Sequence, residues 1–181
     1  LGAIHIRITY SGTAALYIIL ESLKEISEKR TVIIPSFICP LVPLAILRAG
    51  LKPAVCDISP KGFDFQKEKL EKIIRENNDV LAVIPTHLAG IPVNIKSYAT
   101  DCKNKGILII EDCAQSLGSK NEGIFTGTTA DFSFYSFCRG KGITTYEGGA
   151  IACKSEFKDL IDKNLNRVSK ENWLSETLKL A

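Results

Sequence analysis

Methionine is absent from the sequence, and histidine and tryptophan nearly so: two histidines, His5 and His87, and one tryptophan, Trp173. So few imidazoles leave a metal centre dependent on thiols. None of the six cysteines, at 39, 56, 102, 113, 138 and 153, pairs at the two-residue spacing of a zinc or redox motif, so a metal site is disfavoured. One-sided charge is missing too. Lysine and arginine number 23 against 20 aspartates and glutamates, a net +3, and the signs interleave on the expected helix faces. That pattern describes solvated surfaces and speaks against a nucleic-acid partner. No apolar run reaches the length of a membrane span, and the N-terminus lacks the order of a signal peptide. The cysteines lie mostly in apolar runs and are expected to be reduced, buried thiols of a cytoplasmic protein. Without methionine even at position 1, the chain is expected to be processed, truncated or a fragment.

What is present is an alternation. "TAALYIILESLKEI" has the pattern of a buried helix, and "TVIIP" that of a short strand stopped by Pro35. "PLVPLAILRAG" reads as a helix with Pro43 in its first turn and Gly50 at its end. "KPAVCDI", "VLAVIPTH" and "ILIIEDC" read as strands. Between them, "FQKEKLEKIIREN" and "NIKSYATDCKNKG" read as amphipathic helices. Uniformly apolar strands alternating with helices imply an α/β fold in three layers, α/β/α, around a mostly parallel sheet. After residue 130, "DFSFYSF" and "GGAIACK" are expected strands flanking a turn, and "EFKDLIDKNL" is a helix. The last segment, "ENWLSETLKLA", puts Trp173, Leu174, Thr177 and Leu178 on one face with little left to pack against, which argues for a partner subunit or a further domain.

In open α/β sheets ligands bind at the carboxyl ends of strands, and three polar groups fall at such ends or at helix starts. Gly12 and Thr13 open the first helix, where unpaired amides and the helix dipole make an anion site; the alternative is a plain Ser/Thr cap. Asp112 ends a strand of isoleucine and leucine, where an unpaired carboxylate is costly, so it needs a cationic or donor partner. Gln115 follows within reach of the same pocket, and the alternative for Asp112 is a turn cap. Lys141 sits between Gly140 and Gly142; in a dry pocket its amine would become a nucleophile, and in a hairpin loop it would be an ordinary surface lysine. Together the three groups meet one demand: an anion cradle, a carboxylate for a ring nitrogen and an amine for an aldehyde. Pyridoxal 5'-phosphate presents those features.

"SGTAAL", "HLAGIPVNI", "IEDCAQSLGS" and "SFCRGKGITTYEGGA", in that order, resemble the sugar aminotransferases of the DegT/DnrJ/EryC1/StrS family, a branch of fold-type I pyridoxal-phosphate enzymes. The likeness runs from about Thr9 to about Leu165. It implies that Thr13, Ala14 and Ser136 meet the cofactor phosphate, beside Gly12, and that Asp112 pairs with the pyridine nitrogen. Gln115 would lie near the ring's phenolic oxygen, and Lys141 would condense with the aldehyde and move protons during turnover. The implied reaction is transamination from an amino donor, typically glutamate, to a keto sugar, usually nucleotide-linked, or a cyclitol, in a homodimer. Gln115 leans toward 3-keto sugars or cyclitols.

Against the family pattern, Cys39 stands where an aromatic residue usually stacks on the cofactor ring, with Phe37 the nearby substitute. Cys138 and Arg139 precede the lysine in unusual places, and Tyr146 replaces a common glycine. Residues 1–165 are expected to be the large cofactor-binding domain, begun late at its N-terminus. Residues 166–181 would be a terminal helix leading toward an absent small domain. Two other readings stand beside the enzyme: a catalytically incomplete relative that binds cofactor or partner, and an unrelated doubly wound nucleotide-binding module, for which no glycine fingerprint follows a strand.

Overall fold

Val32, Ile33 and Ile34 are buried on both sides of one strand, the mark of a sheet covered on each face. The computed structural model describes residues 4–170. In chain order the elements are β1 (Ile4–Thr9), α1 (Gly12–Ile26), β2 (Thr31–Pro35), α2 (Leu41–Arg48), β3 (Lys52–Cys56), α3 (Lys67–Glu76) and β4 (Val80–Val83). A 3-10 turn at Leu88–Gly90 precedes α4 (Lys96–Asn104) and β5 (Leu108–Asp112). Then come a small ribbon of β6 (Lys120–Asn121) and β7 (Ile124–Phe125), β8 (Phe132–Ser136), β9 (Gly149–Lys154) and α5 (Lys158–Lys170).

The main sheet has seven strands in the order β1-β9-β8-β5-β4-β2-β3. Only β9 runs against the rest, antiparallel to both β1 and β8. The period-two alternation of each strand feeds two cores. Val32, Ile34, Ile110, Phe132 and Phe134 pack with α1, α2 and α5, while Ile33, Val83 and Ile109 pack with α3 and α4. This is the expected three-layer arrangement.

Helix α1 lies so deep that Glu21 and Ser22 are buried with its leucines. Both are satisfied: Ser22 Oγ donates to the Ile18 carbonyl at 2.8 Å, and Glu21 pairs with Lys24 and Arg167 at 2.5 and 2.8 Å. Pro43 falls in the first turn of α2, where no amide is needed, and Gly50 takes φ +71° just past its end. Strand β4 stops before Pro85, shorter than its apolar run suggested.

Three features differ from the sequence reading or extend it. His5, given no role from the sequence, lies in β1, paired with Cys153, and its Nε2 meets Asp162 Oδ1 at 3.0 Å beside Arg7. The ribbon of β6 and β7 was not anticipated. Helix α5 runs unbroken past Leu165 to Lys170, so that boundary falls inside a helix. The amphipathic segment with Trp173 and Leu174 lies outside the described residues.

Candidate active site

Because β5 and β8 are parallel neighbours, their carboxyl ends deliver Asp112 and Ser136 to the same edge of the sheet. Helix α1 begins there as well, and its approach is close. A Cβ on Gly12 would stand 2.9 Å from Ser136 Cβ, and one on Gly149 would stand 2.6 Å from Gly12 N. Glycine at both positions lets the helix start dock on β8 and β9. The cleft so formed holds about 140 Å³ and is lined by Gly12, Thr13, Asp112, Gln115, Ser136 and Lys141. The sheet edge thus gathers six of the seven anticipated site residues around one space.

Ala14 is the exception. It is absent from the lining of this cleft and instead borders a groove with Ile8 and Leu165. Its amide is taken by Ser11 Oγ at 3.1 Å, the ordinary N-cap bond. The amides of Gly12 and Thr13 remain without intrahelical acceptors, as the first turn of any helix requires. Phe37 also stays outside: it is 63% exposed, and the wall near α2 is built from Cys39, Leu41 and Val42. Gly140, at φ +78°, bends the lysine loop through a conformation glycine tolerates; Gly142 takes no such φ and has open space around it.

Asp112 is 4% exposed, and burial pushes its carboxyl up to about 6. Against that, Ala114 N donates to Oδ1 at 3.0 Å, and the charge of Lys141 pulls the pKa down. Thr86 Oγ1, buried on the same wall, comes near enough to favour the carboxylate yet has no partner at hydrogen-bonding geometry. Among the described residues the carboxyl has no ion-pair partner. A protonated pyridine nitrogen is the kind of cation such a group lacks.

Gln115 is oriented from outside the cleft. Ala89 N donates to its Oε1 at 2.9 Å, which fixes the amide and leaves Nε2 as a donor for a phenolic oxygen. The acceptor end of a phosphate would find the Gly12 and Thr13 amides and the hydroxyls of Thr13 and Ser136. Donor set, acid and amine therefore fit pyridoxal phosphate.

The loop after β4, part of the "HLAGIPVNI" motif quoted above, was assigned no site residue from the sequence. Thr86, His87 and Leu88 line the cleft, and Ala89, at φ +53°, presents the amide that holds Gln115. The signal available was its place at a strand's carboxyl end. His87 is 2% exposed and has a structural role: Val93 N donates to Nδ1 at 3.1 Å, so Nε2 carries the proton toward Glu111 Oε2 at 2.9 Å. Glu111 further accepts from Gly127 N, Thr129 N, Thr129 Oγ1 and Ala130 N at 2.7–3.0 Å. Burial raises the Glu111 pKa, but these donors outweigh it and hold the group below its usual range. His87, Glu111 and Cys113 lie close enough together to suggest a metal site. Both nitrogens of His87 are already engaged, which leaves no imidazole ligand to offer.

Comparison with known proteins agrees with this geometry. The DegT/DnrJ/EryC1/StrS aminotransferase family model matches residues 1–173. GDP-perosamine synthase of Escherichia coli O157:H7 is 33% identical over 156 residues, covering 86% of this chain and 42% of that protein. Among solved structures, Helicobacter pylori PseC, an aminotransferase of pseudoaminic acid biosynthesis, superposes with a TM-score of 0.80 at 28% identity, over 87% of this chain and 42% of its own. A putative sugar aminotransferase, Spr1654 of Streptococcus pneumoniae, in its PLP form, gives 0.78 at 27% identity, over 87% and 45%. The chain spans about two fifths of the length of these relatives. With four motifs in order, the sheet edge that unites them and a family model matching nearly from end to end, this chain belongs to the DegT/DnrJ/EryC1/StrS aminotransferase family.

Proposed function

We propose that this chain forms the cofactor-binding part of a pyridoxal-phosphate aminotransferase acting on a keto sugar, nucleotide-linked in the leading case, or on a cyclitol, with an amino acid such as glutamate as donor. The observation that carries the proposal is the presence of Asp112 and Lys141 in one cleft with the start of α1. Bound there, the cofactor supplies an aldehyde for amino-group exchange and a ring that withdraws electrons. Gly12, Thr13 and Ser136 hold its phosphate. Asp112 keeps a proton on the ring nitrogen, and the low dielectric around the carboxyl strengthens that pairing. Gln115 Nε2 donates to the phenolic oxygen. Lys141 Nζ would hold the cofactor's aldehyde end and would serve as the base that takes a proton from the donor's α-carbon and gives it back.

Residues 1–165 are read as the large domain, with residues from 166 onward leading away from it. The exposed leucines of α2 support a homodimer, and reduced thiols support a cytoplasmic setting. A second reading, cofactor binding without turnover, draws on Cys39, which leaves the cleft wall without the expected stacking ring.

Purified protein mixed with pyridoxal phosphate is expected to turn yellow, and borohydride to fix the cofactor on the Lys141 peptide, seen by mass spectrometry. No adduct, or an adduct on another lysine, overturns the assignment. Loss of the yellow band on adding glutamate distinguishes turnover from binding alone.

A further inference from the structure

Four of the six cysteines are sealed in the core. Burial pushes Cys56 and Cys153 up to about 11, Cys102 up to about 12 and Cys113 upward as well, which makes them poor nucleophiles at neutral pH. The other two, exposed Cys39 and half-buried Cys138, line the same cleft as Lys141. They reach it from different walls. Cys39 lies just before α2, and its carbonyl accepts Val42 N at 3.0 Å. Cys138 follows β8 at the foot of the lysine loop, and its carbonyl accepts Lys141 N at 3.3 Å. Asp112 and Phe134, 4% and 3% exposed, lie deeper, so both thiols stand toward solvent. A bond joining them would span the cleft that Lys141 also lines.

We propose that Cys39 and Cys138 form a two-thiol modification site at the mouth of the cleft, which a peroxide converts into a disulfide that bars the cofactor from Lys141. Cys39, the more exposed of the two, is the thiol oxidised first. Its sulfur displaces one oxygen of hydrogen peroxide, giving a sulfenic acid and one water. The Cys138 thiol attacks that sulfur; the S–O bond breaks, the S–S bond forms and a second water leaves. Two thiols have then lost two protons and two electrons, and the peroxide has been reduced to two waters. Gly140 in its left-handed conformation and Gly142 in open space give the Cys138 loop the freedom to reach the roughly 4.4–6.8 Å Cα separation a disulfide needs.

The consequence for the cofactor rests on the proposed function above; the pairing of the thiols does not. The full chain would be treated with hydrogen peroxide, its remaining thiols alkylated, and its peptides mapped. A peptide linking Cys39 to Cys138 is expected, and borohydride labelling of Lys141 by pyridoxal phosphate should fall roughly tenfold against the reduced protein and return with dithiothreitol. Cys39→Ser and Cys138→Ser, each compared with its own untreated sample, should lose that sensitivity. Separate alkylation or over-oxidation of the two cysteines without a link overturns the proposal. So does a link that leaves Lys141 labelling unchanged. If untreated protein never labels Lys141, the cofactor reading fails, and the peptide map alone decides the thiol pairing.

Discussion

The Asp112 carboxyl, deep in the cleft with its pKa raised from 3.8 to about 6, opposes folding of the cofactor-free protein near neutral pH. A raised native pKa means that the folded state keeps its proton where the unfolded chain has lost it. Stability from this group therefore falls as pH rises from about 4 to 6 and stays low above. The span corresponds to about 3 kcal/mol at 1.36 kcal/mol per unit. Asp112→Asn, which can still accept the Ala114 amide, should raise the unfolding free energy measured in urea at pH 7.5 by up to that amount and change little at pH 4, while weakening capture of pyridoxal phosphate. An equal effect at both pH values would show that the buried charge is not the cause. Glu111, next in the chain, is the reverse case: its depressed pKa adds stability that is present at neutral pH and lost as pH falls through the native value. Glu111→Gln would turn an amide toward the Gly127, Thr129 and Ala130 donors and should cost about 3 kcal/mol in urea denaturation at pH 7, with the 126–130 loop losing hydrogen-exchange protection. A cost below about 1 kcal/mol would mean the carboxylate does not anchor that loop. Asp112 and Lys141 were legible in the sequence because a carboxylate at the end of an apolar strand and a lysine between glycines are both out of place by composition. Glu111 was not, since its partners lie in a loop whose path no periodicity records.

At the scale of elements, the cleft exists because α1 begins where β8 ends and β9 starts. Gly149 makes that contact possible: a Cβ there would collide with the Ser11 carbonyl and come within 2.6 Å of Gly12 N, all backbone atoms that cannot rotate away. Gly149→Ala is expected to push the helix start off the sheet, costing about 2–3 kcal/mol by thermal or urea denaturation. Borohydride labelling of Lys141 should fall further than stability alone explains, because the phosphate cradle moves with the helix. Stability loss with full labelling would show that the cradle does not depend on this packing. The helices and parallel strands were readable from apolar periodicity, whose cause is burial of one stripe or of both faces. The edge strand β1 and the ribbon of β6 and β7 were harder. In β1 the isoleucines alternate, but Ile4, Ile6 and Ile8 face outward and only pairing with β9 makes the segment a strand. Two-residue strands leave no period to detect.

For the molecule as a whole, the unexplained surface is α2. Leu41, Leu44 and Leu47 recur along one side of that short helix, each more than half exposed, with Phe37 and Val55 nearby and also exposed. Their inward counterparts, Val42, Ala45 and Ile46, are buried against α1, so the helix is apolar on two sides, as one set between two bodies would be. Sequence periodicity showed a helix here but could not say which side was left uncovered; that depends on α1 taking the other. If the outward leucines meet a second copy of the chain, sedimentation at micromolar concentration should show a dimer. Leu44→Glu together with Leu47→Glu should then shift it to monomer without lowering the melting temperature measured on the monomer. Because Leu41 and Val42 also line the cofactor cleft from the same helix, loss of the dimer should loosen that wall and weaken retention of pyridoxal phosphate. A wild-type chain that sediments as a monomer would remove the interface from α2. A double variant that stays dimeric would move it elsewhere, with the exposed isoleucines of β1 as the next surface to substitute.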